Sequence, residues 1–277
     1  MKYHIHENGW TVIVDEIDFK TIDQDEINKL AKLIATNTCV VIRNQFLSVD
    51  EEVRAIKMFK DPYSFDPDNR HIEAGYKNCV VPGSEGHIIR VTADVDEHGN
   101  PGFAGDTDEL KWHCNDATRA ERRAIVWLYG IKGTAGSRTT WNNNILSFND
   151  LDQTTKDMLT PLRVRMKHWR DKQEPGKEDF APNIVHTNIS GITSLFLPFL
   201  QIQCIDGMSV EESKKIIDPL IEHTTQEKYL YHHDWHDGDL IISDQWTGIH
   251  KRWPFPGMKD RLLHRIVFNY PEQDYKN

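Results

Sequence analysis

Long hydrophobic runs are absent. No apolar stretch of the 277-residue chain approaches the ~20 residues that a membrane helix needs. The opening segment, MKYHIHENGW, has no apolar core of a secretory signal, so a cytoplasmic address and no membrane partner are expected. Positive charge is short as well. Thirty-three Lys and Arg stand against 43 Asp and Glu, a net charge of −10, which argues against non-specific binding to phosphate backbones. No basic stripe with interleaved aromatics is found, so no nucleic-acid partner is expected. The short basic clusters Arg119–Arg123 and Arg163–Arg170 read as solvated faces or a pocket wall. Cysteine is scarce: Cys39, Cys79, Cys114 and Cys204 are widely spaced with no CxxC pair. That excludes a zinc ribbon or disulfide framework and leaves free thiols in a reducing compartment. Repeats, low-complexity tracts and a convincing linker are also missing, and 277 residues suffice for one sizeable core. We therefore expect a single domain over residues 1–277.

What is present is a series of short strands with a few helices. Residues 10–19 alternate as a strand. Residues 23–36 carry Ile27, Leu30, Leu33 and Ile34 at helical spacing behind acidic residues. The β-branched run at 38–42 is a short buried strand. Ser48 with Glu51 three positions on is a capping box opening a second helix to about Lys60. Residues 61–77 and 94–108 are polar, Gly- and Pro-containing loops, of a length that is usually functional. Strands follow at 87–93, 124–131 and 164–169, and a helix at 147–159. A charged insertion spans 171–179, residues 195–205 are β-rich, and a further helix spans 209–226. The pattern is α+β, mainly β, a sandwich or jelly roll with helical packing.

Two histidines stand out from the 14: His113 in ELKWHCND and His250 in SDQWTGIH. Arg261 and Arg265 follow His250 by eleven and fifteen positions. Two histidines and a carboxylate on one face of an iron ion leave open positions for oxygen chemistry. The surrounding segments carry the argument. VVIRNQFLSVDE, GDTDELKWHCND, GSRTTW, SDQWTGIH (with Asp244 six residues before His250) and RLLHR occur in order over roughly residues 38–270. Together they resemble the taurine dioxygenase (TauD/TfdA-like) family of Fe(II)/2-oxoglutarate-dependent oxygenases.

The resemblance implies a double-stranded β-helix (jelly-roll) core with flanking helices. It implies Fe(II) and 2-oxoglutarate as cofactors, O₂ and a small molecule as substrates, and release of succinate and CO₂. It makes His113 and His250 iron ligands and Arg261 the clamp on the distal carboxylate of 2-oxoglutarate, a task for a planar guanidinium fork. Thr139 would add a hydroxyl to that carboxylate. Arg265 takes a family position near the cosubstrate or an anionic group of the substrate, and strand parity with Arg261 would let both point inward. The chain departs from the family at the third ligand. Asn115 stands where an acid is expected, and Asp116 follows it. Ligation by Asp116 through a bulge, ligation by the Asn115 amide oxygen, and a vacant position all remain open. The departure also keeps open a degenerate member that binds without turnover, and a halogenase-like variant. Trp112 and Trp246 read as core, Trp127 and Tyr129 share strand parity, and His232, His233 and His236 read as a solvated strand edge or turn rather than a second metal site. Homo-oligomerisation is left open.

Overall fold

A computed structural model of the chain describes residues 1–65, 79–99, 102–118, 122–167 and 181–276. The expected loop at 61–77 lies outside the described residues from 66 onward, as do the insertion at 171–179 and Arg119. In chain order the strands and helices are β1 (Tyr3–Ile5), β2 (Val12–Val14), α1 (Gln24–Asn37), β3 (Cys39–Ile42), α2 (Val49–Ile56), β4 (Ile89–Val91), β5 (Leu110–His113), β6 (Ile125–Lys132) and β7 (Arg138–Asn142). They continue with α3 (Asn144–Asn149), α4 (Gln153–Leu159), β8 (Val164–Met166), β9 (Val185–Thr187), β10 (Thr193–Leu195), β11 (Ile202–Ile205) and α5 (Val210–Thr224). The last four are β12 (Leu230–Asp234), β13 (Leu240–Asp244), β14 (His250–Arg252) and β15 (Leu262–Phe268).

Seven strands form one sheet in the order β1-β2-β3-β13-β6-β15-β4, and four form a second in the order β12-β7-β14-β5. Pairing is antiparallel except between β2 and β3. Successive side chains of a strand point to opposite faces, and the large sheet uses both. Trp127, Tyr129, Leu240, Ile242, Ile266 and Phe268 point to one face, where Ile27, Leu30, Ala31 and Ile34 of α1 and Val53 and Ile56 of α2 cover them. Val126, Leu128, Ile241, Leu263 and Val267 point to the other, where Trp141 and Tyr231 of the small sheet meet them together with Trp235. Burial on both faces explains why β6 reads as one unbroken apolar run. Each large apolar side chain so buried contributes about 1.5–3 kcal/mol.

The helix caps follow the sequence reading. Asp23 accepts from the Glu26 amide, and complete capping boxes join Ser48 to Glu51 and Ser209 to Glu212. Three expectations need correction. The helix expected at 147–159 is two helices, broken where Asp152 accepts from the Thr155 amide and starts the second. The strand expected at 10–19 is only Val12–Val14. The histidine cluster lies on an edge strand and its following turn as expected, with His236 exposed and His232 partly so, but His233 is fully buried, with Tyr231 and Asp239 on its two ring nitrogens. A third apolar cluster, with Leu159, Val164, Ile184, Leu195 and Leu220, joins the two-stranded pairs β8–β11 and β9–β10 to α4 and α5. Among the described residues no helix is long and apolar enough to cross a membrane.

Candidate active site

The small sheet positions both histidines. His250 of β14 is the cross-strand partner of His113 of β5 on one side and of Trp141 of β7 on the other. Cross-strand partners lie roughly 5 Å apart at Cβ, and the two imidazoles meet with ring centroids 4.3 Å apart. Nδ1 of His113 donates to the carbonyl of Lys111 at 2.7 Å, which leaves Nε2 as the lone-pair nitrogen. The His250 ring stacks on Trp141 at 5.8 Å. Burial, with the charges of Arg252 and Arg265 behind it, pushes His113 down to about 4. Burial and the neighbouring His113 and Arg265 push His250 well below the usual histidine range. Both rings are therefore neutral near pH 7, the state in which imidazole binds a metal.

The segment after His113 is pinned on both sides. The Asn115 amide donates to Oε1 of Gln245 at 2.6 Å, and Nε2 of Gln201 donates to the Cys114 carbonyl at 2.7 Å. Asn115 is 6% exposed, and its Oδ1 is buried with no hydrogen-bond partner among the described residues. An orphaned buried acceptor is costly, and each one in a native structure calls for a ligand or a reason. Asp116 goes elsewhere. Its backbone turns into the left-handed region at φ 54°, and its charge acts on Cys114 and Arg122. Among the described residues no three of His, Cys, Asp and Glu converge as a metal site, so Asp116 is not brought beside the two histidines. Cys114 points into the apolar cluster with Phe196 and Ile249.

Both arginines are buried, but by different means. Arg265 lies on β15 with the parity of Leu263 and Val267, which faces the small sheet. Its guanidinium sits 4.5 Å from the ring centre of Phe103. Arg261 precedes that strand, and a register shift between Leu262 and Leu263 separates the two. The irregularity, rather than simple alternation, is what lies between their positions. Arg261 is 1% exposed, with Nε donating to the Ser137 hydroxyl at 2.8 Å and Nη1 buried without a partner among the described residues. Burial, then the charge of Arg252, brings it down to about 9, so it stays cationic at neutral pH. Thr139 of β7 is buried, and its hydroxyl accepts from Nε1 of Trp235 at 3.0 Å while keeping its own proton to donate.

Sequence reasoning missed Arg252, Ser137, Gln245 and Gln201. Arg252 has the strand parity of His250, and that was the available signal. It is 6% exposed and ties down the loop before β5, donating to the carbonyls of Ala104 and Asp108 and to the Asp106 carboxylate. Arg252→Met is expected to release that loop: amides of 104–108 should exchange with deuterium at least tenfold faster, the effect of losing about 1.4 kcal/mol of local opening energy. Unchanged exchange would remove Arg252 from this role. Arg122, read as part of a solvated face or a pocket wall, is 6% exposed rather than solvated and is sandwiched between Trp246 and Phe196, with its guanidinium carbon 3.4 and 3.8 Å from the ring centres. Asp244 is structural, accepting from the amides of Trp246 and Thr247 and from Tyr270 to shape the turn into His250.

With this geometry in view, the comparisons fix the class. Residues 6–267 match the taurine catabolism dioxygenase TauD, TfdA family, and the chain belongs to that family. It is 34% identical over 272 residues to an alpha-ketoglutarate-dependent 2,4-dichlorophenoxyacetate dioxygenase of Cupriavidus pinatubonensis, covering 92% of both chains. Its fold is that of a taurine dioxygenase from Burkholderia xenovorans, with TM-score 0.75, 18% identity, and 94% of this chain and 85% of that one covered. AAD-2 in complex with Mn(II) and N-oxalylglycine has the same fold, with TM-score 0.74, 16% identity, and coverage of 99% and 98%. The protein is thus a 2-oxoglutarate-dependent non-haem iron dioxygenase, with Fe(II) and 2-oxoglutarate as its cofactors.

Proposed function

We propose that the protein oxidises, by hydroxylation, a C–H bond of a small anionic molecule, with release of succinate and CO₂. His113, His250 and the amide oxygen of Asn115 hold the iron. The single observation that carries the ligand set is the buried Oδ1 of Asn115, two residues beyond His113, which has no partner among the described residues. Neutral Nε2 of His113 and an amide oxygen with free lone pairs are suitable donors for a divalent cation. Iron and 2-oxoglutarate together supply the oxidising chemistry, and the protein supplies binding, orientation and exclusion of water. Arg261 takes the distal carboxylate on its buried Nη1, with the Thr139 hydroxyl as a second donor. Arg265 faces the anionic group of the substrate. Its charge already bears on both histidines, and relatives named for phenoxyacetate and phenoxypropionate act on carboxylates. The same reading takes the two sheets as a double-stranded β-helix and residues 1–277 as one domain, supported by a core cluster that runs from Val12 to Tyr275.

Anaerobic titration with Fe(II) and 2-oxoglutarate tests the site through the weak visible charge-transfer band of an iron–oxoacid chelate. Wild type should show the band, Asn115→Ala should lose it, and Asp116→Ala should keep it. Loss in the Asp116 variant alone would overturn the ligand set. Fe(II) binding in wild type without any band would favour a protein that binds metal without turnover. Chlorinated rather than hydroxylated product in the presence of chloride would favour the halogenase-like variant.

A further inference from the structure

Behind His250 lies a line of aromatic rings that the proposed reaction does not use. Trp141, 1% exposed, stacks on His250, and its cross-strand partner on the far side is Tyr231. Ring centres run 5.8 Å from His250 to Trp141, 6.5 Å from Trp141 to His233 and 6.0 Å from His233 to Tyr231. Trp235 sits beside the line, 6.4 Å from Trp141 and 4.7 Å from His233. Beyond Tyr231 the ring of His6, half-buried, stands edge-on at 5.1 Å. Edge and face contacts of this kind are ordinary core packing, so the rings alone decide nothing.

The polar groups at the end of the line are what single it out. The Tyr231 hydroxyl is 3.1 Å from Nδ1 of His233, and Nε2 of His233 is 3.1 Å from Oδ2 of Asp239. A carboxylate only accepts, so Nε2 carries the proton and Nδ1 presents a lone pair to the phenol. Burial keeps His233 below the usual histidine range, in keeping with a neutral ring. Asp239 is held as the anion by Arg43 at 2.7 Å and by the amide of His236 at 2.9 Å. The arrangement is a buried phenol with its own base, and that base with its own carboxylate. A phenol loses an electron readily only when its proton has somewhere to go, and this one has.

We propose that Trp141 and Tyr231 form an escape route for oxidising equivalents, draining the metal position when dioxygen is activated with no substrate in place. This rests on the metal reading of His113 and His250 for the source of the oxidant. The oxidant generated from dioxygen and 2-oxoglutarate holds two oxidising equivalents, and each passage along the route removes one. The oxidant takes an electron from Trp141, and Trp141 takes one from Tyr231. A second passage, after re-reduction of Tyr231, removes the other. The phenolic proton passes to Nδ1 of His233. The products are a neutral tyrosyl radical and an imidazolium paired with Asp239, so charge and electrons balance. A small one-electron reductant such as ascorbate, reaching the His6 side, restores the phenolate, and the imidazolium returns its proton.

The test is electron paramagnetic resonance of the iron- and 2-oxoglutarate-loaded protein, frozen after exposure to dioxygen without substrate, with succinate measured on the same samples. Wild type should give a tyrosyl radical that narrows when ring-deuterated tyrosine is incorporated. Tyr231→Phe, which keeps the ring and its packing, should lose it and accumulate irreversible oxidation on peptides around Trp112 and Trp141. Succinate with no tyrosyl radical, or the same radical in both proteins, overturns the inference. Absence of succinate marks failure of the functional reading instead. The route's terminus is then judged in metal-free protein, oxidised by photoexcited ruthenium tris-bipyridine with a cobalt(III) acceptor. A radical component present in wild type and lost in Tyr231→Phe supports it, and identical spectra overturn it.

Discussion

Arg261→Gln raises the 2-oxoglutarate concentration for half-maximal turnover by about a hundredfold, while Fe(II) affinity stays within about twofold. The size follows from the burial of the guanidinium. At 1% exposure, with Nε already committed to Ser137, the side chain is fixed, and its buried Nη1 has no partner among the described residues. A charge-assisted hydrogen bond in such a place contributes roughly 1.5–3 kcal/mol, and about 2.7 kcal/mol is a hundredfold. Glutamine keeps a donor but neither the charge nor the fork. The Fe(II) titration and the 2-oxoglutarate dependence of succinate release are read on one preparation. A variant with unchanged 2-oxoglutarate dependence would move the carboxylate away from Arg261.

His250→Ala lowers Fe(II) affinity by more than about a hundredfold and abolishes succinate formation. Loss of a group that only orients a ligand costs about 10–100-fold, and loss of a ligand from a set without a carboxylate exceeds that. Among the described residues no group of three or more His, Cys, Asp and Glu forms another metal site. The change also empties the space against Trp141, where large-to-small substitution costs about 2–5 kcal/mol. A thermal melt of the metal-free variant therefore accompanies the titration. A folded His250→Ala protein that binds Fe(II) like wild type would refute the ligand role.

How much of this was legible in the sequence depends on distance along the chain. The capping boxes at Ser48 and Ser209 are local chemistry and appear as read. The histidine pair was found through motif order, since no periodicity tells which of 14 histidines will face each other. Arg252 escaped because its partners, the carbonyls of Ala104 and Asp108 and the Asp106 carboxylate, belong to a loop more than a hundred positions earlier, and only folding brings them together. Ser137 and Gln245 escaped for the same reason: a serine or glutamine acquires a task only from what folding places beside it. Parity along one strand suggested that Arg261 and Arg265 share a face, and the register shift after Leu262 was invisible to that argument. His233 was misread because a histidine-rich turn looks hydrophilic until Tyr231 and Asp239 close over it.

The pairing of β14 with β5 has a thermodynamic consequence. His113 and His250 are neighbours only because two strands from opposite halves of the chain lie side by side. In the unfolded chain these nitrogens are far apart and have no common affinity for a cation. With the ligand set proposed above, the ion is a ligand of the native state alone, and every tenfold excess over its dissociation constant adds about 1.4 kcal/mol to the work of unfolding. Chelation should accordingly lower the melting temperature in proportion to the logarithm of the free metal removed, making the thermal denaturation curve a direct gauge of occupancy.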